Sequence, residues 1–88
     1  MFRVDWDKLA LAHLTVEWTT ADSQLRADST AATNDTEKYL RGRADRAGES
    51  REPGTRVLIV HPLTVTFHVN VRTNTVLVSG ARISHRKR

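Results

Sequence analysis

The stretch Gly54–Arg82, GTRVLIVHPLTVTFHVNVRTNTVLVSGAR, leaves few options for how this chain folds. Val65, Phe67, Val69 and Val71 alternate with Thr64, Thr66, His68 and Asn70. A period of two makes a strand with one apolar face and one polar face. An apolar β-branched run, Val57 to Val60, precedes it, and Val76 to Val78 follows it. Pro62 sits between the first two runs, where a missing backbone donor does least harm to a ladder. Arg72-Thr73-Asn74-Thr75 separates the last two, and asparagine tolerates the positive φ that hairpin loops often require. The stretch predicts a three-stranded antiparallel meander, and everything upstream must cover its apolar face.

Eighty-eight residues suffice for one domain with a modest core. We read residues 1–88 as that single domain, with a basic tail over about 83–88. The chain has no cysteine, which excludes a disulfide scaffold and a thiolate metal site. Its apolar runs fall far short of the roughly 18 residues a membrane span needs. Residues 1–20 contain Asp5, Asp7 and Glu17 and no continuous apolar core, so no secretory signal is expected. A cytoplasmic protein is the expectation. Residues 1–47 hold seven Lys/Arg and eight Asp/Glu, a net of −1; residues 48–88 hold seven and two, a net of +5. The basic half is the sheet half, which suggests a polyanionic partner.

At the N-terminus, Phe2, Val4 and Trp6 alternate with Arg3 and Asp5, a short strand at a sheet edge or beside a later strand. Asp5 or Asp7 can cap a helix running to about Thr20, with Ala10, Leu11, Leu14 and Trp18 as its apolar stripe. Asp22 or Ser23 restarts a helix that reaches about Arg43. Its inward face is Leu25, Ser29, Ala32, Thr36 and Leu40, with Tyr39 flanking. Small side chains there permit a close helical hairpin. Residues 44–54, with two glycines and a proline, read as a polar loop. The fold class is therefore α+β: a short N-terminal strand, then a helical hairpin packed on a C-terminal three-stranded antiparallel meander.

This order resembles the RelE/ParE superfamily, the small toxins of type II toxin–antitoxin modules. The resemblance covers nearly the whole chain. It is carried by Gly48-Glu49-Ser50-Arg51, Gly54-Thr55-Arg56-Val57-Leu58, Pro62-Leu63 and the alternating Val65–Val69 strand, with Leu14, Trp18 and Leu40 in the helices. It implies a cognate antitoxin as partner. It also implies one of two activities: ribosome-dependent mRNA cleavage, as in RelE-like members, or non-enzymatic inhibition of DNA gyrase, as in ParE-like members. Degenerate members only bind an antitoxin.

Cleavage of the RelE kind activates a 2′-hydroxyl, stabilises phosphate charge and protonates the leaving oxygen, with no metal or cofactor. The resemblance places Arg56 where the family has a phosphate-binding cation and Arg82 where a basic residue faces the groove. His85 is then the proton donor. Arg51, Arg86 and Lys87 are the RNA-binding candidates. Glu49 suits a general base or a Glu–Arg pair that orders its loop. His61 and His68 lack a carboxylate or thiolate at ligand spacing, so no metal site is expected. Two departures stand out. Leu63 or Thr64 occupies the position where nuclease members commonly carry an arginine, and the C-terminal tyrosine is absent, Tyr39 being the only tyrosine.

Overall fold

The computed structural model describes residues 1–46 and 54–84, and the backbone of 49–52. The elements are β1 (Arg3–Trp6), α1 (Lys8–Thr20), α2 (Ser23–Arg43), a 3-10 turn (Ala44–Arg46), β2 (Glu49–Glu52), β3 (Thr55–Val60), β4 (Leu63–Asn70) and β5 (Thr75–Ile83). One sheet holds the strands in the order β1-β5-β4-β3-β2. Strands β2 to β5 run antiparallel to their neighbours, and β1 lies parallel to β5 at the edge. This is the expected α+β arrangement, with β3, β4 and β5 as the meander.

One expectation changes. Residues 44–54 are more than a loop, because β2 pairs with β3, Glu49 opposite Val57 and Ser50 opposite Arg56. The sequence ESRE carries no apolar alternation, so pattern reading passes over it. A charged, short strand is what a sheet edge tolerates.

Both helices cover one face of the sheet. The core joins Leu58, Leu63, Val65, Phe67, Val76, Val78 and Ala81 from the strands to Ala10, Ala32, Leu40 and Ala44 from the helices. Asp22 caps α2, its Oδ1 accepting from the Leu25 amide at 2.8 Å. Ser29, Ala32, Thr36 and Leu40 are buried, as their spacing predicts, and Leu25 is half-buried. The hydroxyls of Ser29 and Thr36 have no hydrogen-bond partner. Tyr39 flanks this face, partly exposed.

Helix α1 departs from its predicted stripe. Ala10 is buried and Leu14 half-buried, but Leu11 is 46% and Trp18 38% exposed. Trp18 instead meets Arg26, whose guanidinium lies 5.0 Å from the ring centroid. Arg26 Nε donates to Trp18 O at 3.0 Å and its terminal nitrogen to Thr19 O at 2.7 Å. No basic residue stands in the last turn of α1. A cation from α2 therefore satisfies carbonyls that the helix end leaves open.

Two turns need a left-handed residue, and Asn74 (φ 55°) and Gly54 (φ 83°) supply it. Gly42 has no such reason. It sits in the last turn of α2, where a Cβ would meet nothing within 4 Å, and there it costs about 1 kcal/mol relative to alanine.

Candidate functional site

Register decides which side chains share a face. Directly paired residues in an antiparallel ladder project to the same side. Leu63, Val65, Phe67 and Val69 of β4 face the helices, so Thr64, Thr66, His68 and Asn70 face away. No element among the described residues covers that second face. Across it run four rows: Arg3, Thr75 and Asn70; Asp5, Leu77, His68 and Thr55; Gly80, Thr66 and Val57; Arg82, Thr64 and Ile59. Ile59 is 65% and Leu77 45% exposed. The open face thus sets threonine and aliphatic side chains beside the Arg3–Asp5 pair, His68 and Arg82.

The two cations singled out from the sequence part company here. Arg56 is paired with Phe67 and shares the parity of Leu58 and Val60. It occupies the helix-facing side, near Asp45, Val69 and Val71 around a cavity at the end of the sheet. Arg82 is paired with Thr64 and occupies the open face. A bulge produces that placement. Ser79 is the extra residue in β5, where the register shifts between Thr66 and Phe67. Val76 and Val78 face the core before the bulge; Ala81 and Ile83 do so after it. Unbroken alternation would have turned Arg82 inward.

Arg82 then reaches over the sheet edge. Its Nε donates to Glu17 Oε2 of α1 at 3.0 Å, and the Ile83 amide donates to Glu17 Oε1 at 2.6 Å. Strand β1 accompanies β5 only as far as Val78. Glu17 therefore satisfies a donor on the edge that β1 leaves free. The Ser84 amide donates to Pro62 O at 2.7 Å and fixes where the chain leaves the sheet. His85, Arg86 and Lys87 lie outside the described residues, as does the side chain of Arg51 on β2.

His68 also holds a defined position on the open face. Its Nδ1 is 3.1 Å from Gly54 O and 3.3 Å from Thr55 Oγ1. A carbonyl only accepts, so Nδ1 is the donor in this contact. His68 stands four residues along β4 from Thr64, about 13 Å from the row that holds Arg82. His61 is exposed in the turn between β3 and β4. Among the described residues, no group of three or more His, Asp or Glu is arranged to hold a metal ion. No described helix is long and apolar enough to cross a membrane.

A second cationic surface went unread in the sequence. Lys38, Tyr39, Gly42 and Arg43 line one depression on α2, and Gly42, Arg43 and Arg46 line the next together with Phe2 and Asp45. Averaging charge over residues 1–47 hid it. The signal was local: residues 38–46, KYLRGRADR, hold four cations and one anion.

No family model matches this chain, and no curated protein does. Solved structures do. A chain of the chromosomal ParDE TA system from P. aeruginosa superposes with a TM-score of 0.74 at 19% identity, covering 97% of this chain and 98% of that one. The isolated E. coli RelE toxin gives 0.66 at 18%, covering 99% and 88%. A chain of the intact E. coli RelBE toxin–antitoxin complex gives 0.62 at 17%, covering 98% and 100%. At these identities the likeness establishes the fold. The chain shares the α+β fold of these chains over essentially its whole length.

Proposed function

We propose that this chain is the toxin of a two-protein toxin–antitoxin module and that it acts by binding a protein target, as ParE-like toxins do. The antitoxin is its cognate partner. The whole-chain likeness to ParDE and RelBE components supports the toxin reading. The single observation that favours binding over cleavage is the separation of Arg56 from Arg82. Charge stabilisation of a scissile phosphate needs cations that converge on one point. The Arg56 and Arg82 side chains leave the sheet from opposite faces, and the Arg82 guanidinium is drawn over the edge to Glu17 of α1. What remains on the open face is a mix of threonine, aliphatic side chains, His68 and the internally paired Arg3–Asp5, which suits a protein surface better than a phosphate backbone.

Expression in a bacterial host tests the proposal. Growth should stop, and co-expression of the adjacent open reading frame should restore it. Purified protein should inhibit gyrase supercoiling and leave translated mRNA intact in primer extension. Cleavage of mRNA in the ribosomal A site would instead support the RelE-like reading, with Arg56, Arg82 and His85 as the catalytic set and Arg51, Arg86 and Lys87 holding RNA.

A further inference from the structure

We propose that the C-terminal end of α2 is a binding site for single-stranded nucleic acid, with Lys38, Arg43 and Arg46 on the phosphates and Tyr39 under a base. The site lies on the helical layer, away from the open sheet face proposed above to engage the target.

Four observations converge. First, Lys38 and Arg43 line one depression, Arg43 and Arg46 the next, and the two share Gly42, so the three cations form one surface. They span roughly 13 Å along the helix and its 3-10 extension, room for more than one phosphate. Second, these cations are uncommitted. Arg41 is held by Glu37 at 3.1 Å, whereas among the described residues no ion pair occupies Lys38, Arg43 or Arg46. Third, Tyr39 stands among them with 40% of its surface exposed. A π-face beside cations is the composition of a single-strand platform, where stacking is tolerant of sequence.

The fourth observation is Gly42. Nothing in the fold requires it, since its space is open and its φ is not positive. What it provides is bare helix backbone between Tyr39 and Arg43, where a sugar–phosphate chain can approach closely. Charge alone would suit an acidic peptide equally; the exposed ring beside the cations and the bare backbone between them favour a chain that alternates phosphates with stackable bases. Asp35 and Asp45 border the two depressions and set their limits.

Fluorescence anisotropy with the full chain and a labelled single-stranded oligoribonucleotide, over a salt series, tests the site. Binding should weaken as salt rises, and the log–log slope should fall by about 0.7 for each of Lys38→Gln, Arg43→Gln and Arg46→Gln. Arg72→Gln removes the same charge from the exposed β4–β5 turn and should leave affinity within about twofold, because a cation outside the contact releases no counterion. Tyr39→Leu should weaken binding about tenfold through lost stacking. Gly42→Gln separates binding from folding: it should raise Tm and still weaken binding. Three results would each overturn the proposal: no binding by the wild type, equal losses from Arg72→Gln and Arg43→Gln, or a Gly42→Gln protein that is more stable and binds as well.

Discussion

Glu17 holds Arg82 across 65 residues of sequence, and the same carboxylate holds the backbone of the next residue. Its Oε2 lies 3.0 Å from Arg82 Nε, and its Oε1 lies 2.6 Å from the Ile83 amide. The two contacts differ in worth. The Arg82 side chain is 72% exposed, so its ion pair is screened and contributes little. Ile83 is 3% exposed, so its amide is the costlier group to leave unpaired.

That contrast is measurable. Arg82→Ala should cost less than about 1 kcal/mol. Glu17→Ala orphans the Ile83 amide and should cost about 1–3 kcal/mol. Glu17→Gln keeps an acceptor for the amide and should fall near Arg82→Ala. Urea denaturation of the three variants checks the order. Equal losses for Glu17→Ala and Glu17→Gln would show that charge, and not the edge hydrogen bond, is the important term.

Among the described residues Phe67 is the largest fully buried side chain, in the middle of β4 and in the core cluster that joins the sheet to both helices. Phe67→Ala should cost about 3–5 kcal/mol, through lost transfer energy and the cavity left behind. Its neighbour His68 faces away from the core, so His68→Ala should cost far less. Equilibrium unfolding of the pair reports which face is buried, since a register slip of one residue would exchange their effects.

The inward face of α2 invites the opposite change. Thr36 is fully buried with an unpartnered hydroxyl, and the same holds for Ser29. Thr36→Val keeps the shape and the β-branch and removes the orphaned donor. It should be neutral or stabilising by up to about 1–2 kcal/mol. A loss of stability in thermal unfolding would mean that the hydroxyl finds a partner after all.

These residues also mark how far the sequence could be read. Alternation over Val65–Val69 identified the core face of β4, because one face of that strand is apolar and the other is not. In β3 the same reasoning had nothing to hold. Arg56, Val57, Leu58, Ile59 and Val60 are apolar on both sides after the first residue, so parity is silent there and a phosphate-binding Arg56 rests on the resemblance alone. In β5 the bulge at Ser79 exchanges the faces. Only the change from Val76 and Val78 to Ala81 and Ile83 records it. The helical stripe of α2 was legible at positions 29, 32, 36 and 40. Leu11 and Trp18 of α1 read as core because spacing alone cannot tell a face against the sheet from one beside a neighbouring helix. The Glu17–Arg82 contact joins positions that no local pattern connects.

The open sheet face carries the last prediction. If it is the surface that engages a protein target, a charge placed on its most exposed aliphatic side chain should abolish function and leave the fold. Ile59 is the residue to change, because its side chain is 65% exposed, shares a row with Thr64 and Arg82, and supports no core contact. Ile59→Asp should cost about 1 kcal/mol, the span of strand preference between the two side chains. Desolvating a carboxylate in an interface centre costs more, so affinity for the target should fall at least about tenfold. Val16→Asp is the control. Val16 is 61% exposed on α1, a similar exposure on the other layer. Growth arrest on expression is the readout, with circular dichroism confirming that both variants fold. Arrest lost with Ile59→Asp and kept with Val16→Asp assigns toxicity to the sheet face. The reverse result would move the target-binding surface to the helices and take with it the argument drawn from the open face.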